Sequence, residues 1–497
     1  MNRIACLIAA AALPMCSLAD SPLTFTKQWT YAHANSNPPQ NSEIPAYDRL
    51  TNTIWVAGVV GVDVLDAMSG NLITHIDVTP YGFVNSVAIS NGIAALAIES
   101  SLDRRNPGKV VLYDTRTQSP LASKWNQTNI IPVGSLPDML TFTPNGSRLL
   151  VANEGTPNSK ADELYDLAND PAGSVTIIDV LQRRVIATPT FENVPLMNSP
   201  RTSAGMDFEP EYIAVNAQGT RAYVTLQEAN AMAVLDLRRN RFEKVIGLGL
   251  KDFSLADNGF GGNNFIDPSD EDPKADPVIN LRPSSVKGLY QPDAVATYQY
   301  QGKTFLVMAN EGDTREDEVD KARGSKVTGT PNDLKRLNIS LSDSPNGSEL
   351  VTFGGRSFSI RDENGELVYD SGSFLDAEAI TRKIYNDGRS DDKGVEPEGV
   401  SLMQLGGKTY AFIGLERTKV AAVAVFDVTN PRAVSFVDML VTDGDVSPEG
   451  LVTYTQKGRH YLGIANEVSN TTTLYEITQR MVPRGGKNRV FVTHDAE

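Results

Sequence analysis

The sequence predicts an all-β protein: a β-propeller, most simply of seven blades, with long loop insertions. Three observations carry that expectation. One grammar recurs seven times along the 497 residues: an extended apolar run, a Gly-containing turn, a second apolar run, a break, and a third run ending near an aspartate. The turns are hairpin turns, such as PNG in TFTPNGSRLLV and AQGT in AVNAQGTRAYV. Between the copies there is no helical periodicity of comparable length. Repeated units of three or four antiparallel strands close most simply into a ring of blades.

The copies are justified in chain order. IPAYDRLTNTIWVAGVVGVDVLD and VNSVAISNGIAALAIESSLDRRNPGKVVLYD are the divergent first two. LPDMLTFTPNGSRLLVANEG, closing with GSVTIIDV, is the third, and FEPEYIAVNAQGTRAYVTLQEANAMAVLDL the fourth. QPDAVATYQYQGKTFLVMANEG opens the fifth, whose outer strands the later RSFSIRDENGELVYDSG supplies. VEPEGVSLMQLGGKTYAFIGLERTKVAAVAVFDV and SPEGLVTYTQKGRHYLGIANEVSNTTTLYEI are the sixth and seventh. Alternating stretches such as 140–142 with 150–152 read as half-buried strands. Spacing averages about seventy residues, against about forty to fifty for standard blades, so insertions fill the difference. They are the Gly-, Pro-, Asp-, Asn- and Ser-rich segments 158–171, 189–205, 251–292 and 312–392, which read as loops on a rigid scaffold. Either TFTKQWTYA near the N-terminus or RVFVT near the C-terminus is placed to complete a blade, seal the ring and cover its edge.

Ahead of the first copy, MNRIACLIAAAALPMCSLAD combines a basic Arg3, an apolar stretch over residues 4–15, and small residues Ser17 and Ala19. This is the pattern of a secretory signal cleaved after Ala19, giving a leader 1–19 and a single domain 20–497. The apolar run is short for a membrane span and no second one follows. Both cysteines, Cys6 and Cys16, lie in the leader, so the mature chain has no disulfide, catalytic thiolate or cysteine metal site. Pro14 and Met15 argue against lipidation at Cys16. The net charge of −16 disfavours nucleic acid and favours cations, neutral small molecules or a cell-surface ligand, or serves solubility alone. The expected location is exported, periplasmic or secreted. Nothing here fixes the oligomeric state.

The chemistry lies in acids that the repeat places. Five copies begin with proline followed by an acid: Asp138, Glu211, Asp293, Glu398 and Glu449. The second strands end at Glu154, Glu228, Glu311, Glu416 and Glu467, with Glu99 in the second copy. The start of strand one and the end of strand two are neighbours in a hairpin, and strand one is innermost in a propeller, so these acids converge on one mouth of the channel. Either each acid is a local device bonding backbone amides at its hairpin base, or the group is collective. So many confined carboxylates need cations, and calcium, a hard ion taking six to eight oxygens, suits them. Arg315, Arg389 and Arg417 near the same ends either neutralise the acids or hold an anionic group beside a metal. With Glu311 and Glu398 they are the catalytic candidates if the protein is an enzyme.

A weaker acidic segment is DNGFGGNNFIDPSDEDPKAD, with Asp257, Asp267, Asp270, Asp272 and Asp276, which lacks EF-hand spacing. His33, His75, His460 and His494 show no ligand spacing, leaving little for a zinc hydrolase or a Ser-His-Asp enzyme. No nucleophile elbow, P-loop or dinucleotide fingerprint appears in its strand-to-helix setting.

The blocks LPDMLTFTPNGSRLLVANEG, FEPEYIAV, GLYQPDAVATY with LVMANEGDTRE, RSFSIRDENGELVYDSG, RSDDKGVEPEGV and SPEGLV with IANEVSNTTTLYEI resemble, in order, the choice-of-anchor I family. That resemblance implies a secreted bacterial propeller-like domain without a settled activity; some members are labelled alkaline phosphatase. The Pro-Glu-Gly and Asn-Glu-Gly blocks are also similar in part to propeller phytases, which hold calcium in a carboxylate-lined mouth. After Arg480 no sorting motif or hydrophobic tail follows, which favours an unanchored form. The leading expectation is therefore a calcium-binding, ligand- or surface-binding propeller. The alternatives are a calcium-dependent phosphoesterase and a structural interaction scaffold.

Overall fold

The computed structural model describes residues 23–479, apart from 38, 124–126, 157–169, 203–207, 272–277, 315–318 and 345–348. Within them lie seven sheets of four or five strands, antiparallel except where Leu196–Met197 joins Arg241–Gly247, one sheet for each of the seven sequence copies. Blade one runs Pro45–Asp48, Thr53–Gly58, Gly61–Asp66 and Leu72–Asp77, blade two begins at Phe83–Ser90, and blade three at Pro137–Phe142. Blades four to seven begin at Pro210–Val215, Val295–Tyr300, Pro397–Leu405 and Pro448–Gln456. Each of these first strands touches the next, and Pro448–Gln456 touches Pro45–Asp48, so the innermost strands form a closed ring. The protein is a β-propeller.

Apolar packing between successive sheets explains the ring. The middle strands Thr53–Gly58 and Arg148–Asn153 are buried on both faces rather than alternately, because each blade is sandwiched between two others. One cluster joins Leu150, Ala152 and Ile177 of blade three to Ile213, Val224 and Ala233 of blade four. Another joins Ile54, Val56 and Leu65 of blade one to Tyr454, Tyr461 and Leu474 of blade seven. Burial of this kind contributes roughly 25 cal/mol per Å² of apolar surface, and it is shared by every neighbouring pair.

Closure comes from the N-terminal side. Leu23–Ala32 pairs antiparallel with Thr471–Gln479, from Leu23 opposite Gln479 to Ala32 opposite Thr471; RVFVT lies outside the described residues. The segment after this strand is latched to blade one. His33 Nδ1 is 2.7 Å from Asp63 and its Nε2 2.7 Å from the Thr472 hydroxyl, while His75 Nδ1 meets the other Asp63 oxygen at 2.7 Å. The Thr472-His33-Asp63 order resembles a hydrolytic triad, yet all three residues are 0% exposed, so the group acts as a structural clasp.

The insertions are more organised than loops. Segments 250–289 and 321–352 carry two small sheets, Leu250–Asp252 with Lys287–Leu289 and Val351–Thr352, and Lys321–Arg323 with Asn338–Ser340. They enclose a core of Phe253, Ile266, Leu334, Leu337 and Ile339. Ser357–Asp362 and Leu367–Asp370 complete blade five, as the sequence suggests. A helix, Phe374–Thr381, follows, with Leu375 and Ala379 packed into the interface of blades five and six. Among the described residues no helix is long and apolar enough to cross a membrane.

Candidate functional site

The proline-acid pairs sit where the ladder skips. Register shifts fall between Pro137 and Leu140, Pro210 and Ile213, Pro397 and Val400, and Pro448 and Leu451. A bulge of this kind re-aims the residue inside it, here the acid. The residue before the proline is left-handed in four blades, with φ of 43° at Leu136, 45° at Gln291, 49° at Glu396 and 65° at Ser447. That conformation is uncommon outside glycine, and it is held by a recurring bond. The amides of Glu154, Gly312, Glu416 and Glu467 donate to the carbonyls of Leu136, Gln291, Glu396 and Ser447 at 2.8–3.0 Å. In blades three, six and seven the entrance acid and the strand-end acid therefore lie side by side, as the hairpin argument requires, while in blade five the bonded residue is Gly312, one past Glu311.

The entrance acids converge. A cavity of about 180 Å³ at the channel mouth is lined by Asp138, Glu211, Asp293, Glu311, Glu398 and Glu449, with Asn85, Gln227 and Tyr212 among the other walls. Blade one contributes a residue the sequence did not single out. The Glu43 amide donates to Ala57 O, and the Ala57 amide to Ile44 O, as the Asp293 amide donates to Ala309 O and the Ala309 amide to Ala294 O. Glu43 thus takes in blade one the place of Asp293 in blade five. In blade two the residue within the register shift is Asn85, an amide donating to Pro137 O at 3.2 Å. The seven entrances together supply six carboxylates and one amide.

Close packing of the inner strands explains the third letter of Pro-Glu-Gly. A Cβ on Gly399 would lie 2.0 Å from Glu449 O, and one on Gly450 2.3 Å from Glu43 O. No side chain fits there, and the neighbouring acids are drawn together.

Crowding sets the electrostatics. Burial, followed by neighbouring carboxylates, holds Glu211, Asp293, Glu398 and Glu449 well above the usual carboxylate range. The leading neighbours are Glu154 and Glu228 for Glu211, Glu311 for Asp293, Glu416 and Glu311 for Glu398, and Glu43 and Glu467 for Glu449. Burial raises Asp138 to about 6 against the pull of Arg104, and Glu43 to about 7. Glu416 rises to about 8 through burial and then Glu311, outweighing Arg417 beside it. The Oε2 atoms of Glu398 and Glu449 are shut off from solvent and have no hydrogen-bond partner. For these two the local reading, each acid bonded to backbone amides, does not describe the geometry.

One side of the mouth carries its own cations. Lys393 Nζ lies 2.8 Å from Glu311 and 2.9 Å from Glu396. Arg389 pairs with Glu396 at 2.6 Å and with Asp392 at 2.8 Å, and Arg417 with Glu416 at 2.6 Å. Carboxylates outweigh the burial of Lys393 and hold its pKa well above the ordinary lysine value. Both candidate arginines that are described are therefore neutralising partners; Arg315 lies outside the described residues.

The remaining sequence candidates divide. Glu154 accepts from the Thr156 hydroxyl and, with Glu228, adds to the field on Glu211. Register puts Gln227, not Glu228, at the strand end: Pro210 pairs with Leu226 as Pro137 pairs with Asn153. Gln227 lines the cavity and donates to Glu311 at 2.8 Å. Glu99 and Glu467 belong to the same electrostatic group through Glu43. The aspartate-rich insertion is not a second cluster among the described residues. Asp267 is bonded to the amides of Ser269 and Asn280, Asp270 to Arg336 and Asp257 to the Gly259 amide. Asp272 and Asp276 lie outside the described residues, as do Cys6, Cys16 and His494.

Fold and site define a propeller with a carboxylate-ringed channel mouth. Residues 43–431 match the choice-of-anchor I domain, and the chain belongs to that family. Gigasin-3a of Magallana gigas is 30% identical over 95 residues, covering 16% of this chain and 34% of that protein. The match thus spans about a third of that curated relative's length. Among solved structures, Kuenenia stuttgartiensis hydrazine synthase superposes with a TM-score of 0.50 at 12% identity, over 89% of this chain and 96% of that one. This likeness is one of fold alone. The Myceliophteria thermophila Cps50 (Swd1) β-propeller domain gives 0.46 at 9% identity, over 92% and 100%.

Proposed function

We propose that the mouth is a binding site for a hard divalent cation, calcium by its chemistry, in an exported propeller that presents this face to a small-molecule or cell-surface ligand. The observation that carries the reading is the pair of buried, unpartnered carboxylate oxygens on Glu398 and Glu449 beside Asp293 and Glu311. Burying a charge without a partner is costly, and a cation in the cavity relieves that cost. The donors are carboxylate and amide oxygens, with no histidine or cysteine among them, a set that suits calcium rather than zinc or copper. Magnesium is less suited, since it retains its water and demands near-ideal octahedral geometry.

A calcium-dependent phosphoesterase, alkaline phosphatase- or phytase-like, is the second reading and shares the same centre. It has less support, because Arg389 and Arg417 are already engaged by carboxylates rather than left for a phosphate. An interaction scaffold needs neither ion nor substrate. Calorimetric titration of the mature protein with calcium separates the two cation readings from the scaffold, and a hydrolysis assay separates the first two. We expect saturable binding that a Glu398→Gln, Glu449→Gln double variant weakens about tenfold or more, equivalent to about 1.4 kcal/mol. Absence of calcium binding sinks the cation reading. Calcium-stimulated hydrolysis of p-nitrophenyl phosphate or phytate, lost in the same variant, favours the enzyme.

A further inference from the structure

The mouth contains two adjoining carboxylate trios that share one residue. Asp293, Glu311 and Glu398 form the first, and Glu311, Glu396 and Glu416 the second; within each, one oxygen per residue lies within 4.8 Å of the others. They differ in what fills them. The second holds the Lys393 ammonium, which donates to Glu311 at 2.8 Å and to the Gly312 carbonyl and sits 2.9 Å from Glu396, while its third member, Glu416, is paired with Arg417 at 2.6 Å. Three oxygen contacts to one positive centre, inside an oxygen cage, are what a bound cation makes. Among the described residues no lysine or arginine stands at ion-pair distance from Asp293 or Glu398, the two members peculiar to the first trio.

The lysine is held in place rather than loosely available. It is 8% exposed, and the next residue, Gly394, has a φ of 70° with its amide bonded to Arg389 O at 3.0 Å. A Cβ on Gly394 would lie 3.0 Å from Asp376 and 3.1 Å from Arg356, so the turn is packed against a buried pair. A second divalent ion beside one that shares Glu311 adds repulsion; a single positive charge in that trio adds less.

We infer that Lys393 is a tethered cation that permanently fills one of two cation sites in the mouth, so that the protein takes one exogenous divalent ion, at Asp293, Glu311 and Glu398. This rests on the cation reading of the mouth and adds its stoichiometry and position. It also assigns Lys393 a role: the residue limits the number of ions the mouth accepts.

The test counts calcium per chain, by calorimetry and by elemental analysis after dialysis, in the wild type and four variants. Wild type is expected to hold one calcium, and Glu398→Gln to lose it. Lys393→Met is expected to hold two, with a lower melting temperature without calcium and a larger rise with it, since its carboxylates lose their counter-ion. Adding Glu396→Gln to Lys393→Met returns the count to one. Glu396→Gln alone keeps one calcium, with affinity within about threefold of wild type, because Glu396 belongs to the lysine-filled trio. Folded Lys393→Met that still holds one calcium overturns the inference while leaving the cation reading intact. Glu396→Gln that loses calcium as Glu398→Gln does also overturns it, and this arm decides the matter if Lys393→Met does not fold. Wild type holding no calcium overturns both.

Discussion

Removing calcium and raising the pH is expected to destabilise the protein through the mouth, and the sign follows from the direction of the shifts. A carboxyl group whose pKa is raised by folding binds its proton more tightly in the native state. Stability is therefore highest below the ordinary carboxylate pKa and falls as pH climbs toward the folded value. The window runs from about pH 4.5, the unperturbed range, to about 8, where Glu416 titrates. Glu43 supplies a magnitude. It rises from 4.5 to about 7; at about 1.4 kcal/mol per unit this is about 3 kcal/mol, which solvent screening at a half-buried group lowers to about 2. Glu211, Asp293, Glu398 and Glu449 are raised in the same direction, so each adds to the same loss of stability as the pH climbs. For a chain of this size about 1 kcal/mol shifts the melting temperature by about 1 °C. Scanning fluorimetry in EDTA from pH 5 to 8.5 is expected to show a fall of at least about 2 °C, the contribution of Glu43 alone. Excess calcium should abolish most of it, and Glu43→Gln with Glu449→Gln should flatten it. A melting temperature that stays level or rises across that window without calcium refutes the reasoning, as does an undiminished slope in the double variant.

Gly399→Ala is expected to cost about 2–3 kcal/mol in urea denaturation, the range for overpacking, because its Cβ meets Glu449 O at 2.0 Å. Gly444→Ala, with φ 90° and nothing within 4 Å of its Cβ, is the control, losing about 1 kcal/mol. Exported protein is expected to begin at Asp20 by N-terminal sequencing. A form beginning at residue 33, which lacks the closing strand, should elute as aggregate in size exclusion, because Thr471–Gln479 becomes an open edge.

The blade entrances were legible because Pro-Asp and Pro-Glu recur before an apolar strand, and the repeat made their convergence a matter of topology. Glu43 escaped because blade one reverses the order: Glu43, Ile44, Pro45. Only the bonds it shares with Asp293 expose the equivalence. Gln227 escaped because the neighbouring Glu228 carries the expected charge, and a shift of one residue is visible only in the pairing register. Lys393 lies in RSDDKGVEPEGV, where a lysine among acids reads as a solvated surface; its burial follows from how segments far apart in the chain pack. The sheets of the insertions were not readable, since strands of two or three residues carry no period. His33 and His75 gain their meaning only through Asp63, which sequence spacing does not reveal.

The closing strand also sets how the ring answers to mechanical load. Leu23 lies directly opposite Gln479, and pairing runs from there to Ala32 opposite Thr471. Held by one terminus, the ring transmits no tension across that pair. Pulled from both, the strands separate like a zipper, one rung at a time from Leu23, instead of resisting in shear with every rung loaded together. The clasp of His33 and Asp63 lies just beyond the last rung, so it meets the force only after the strand has peeled away.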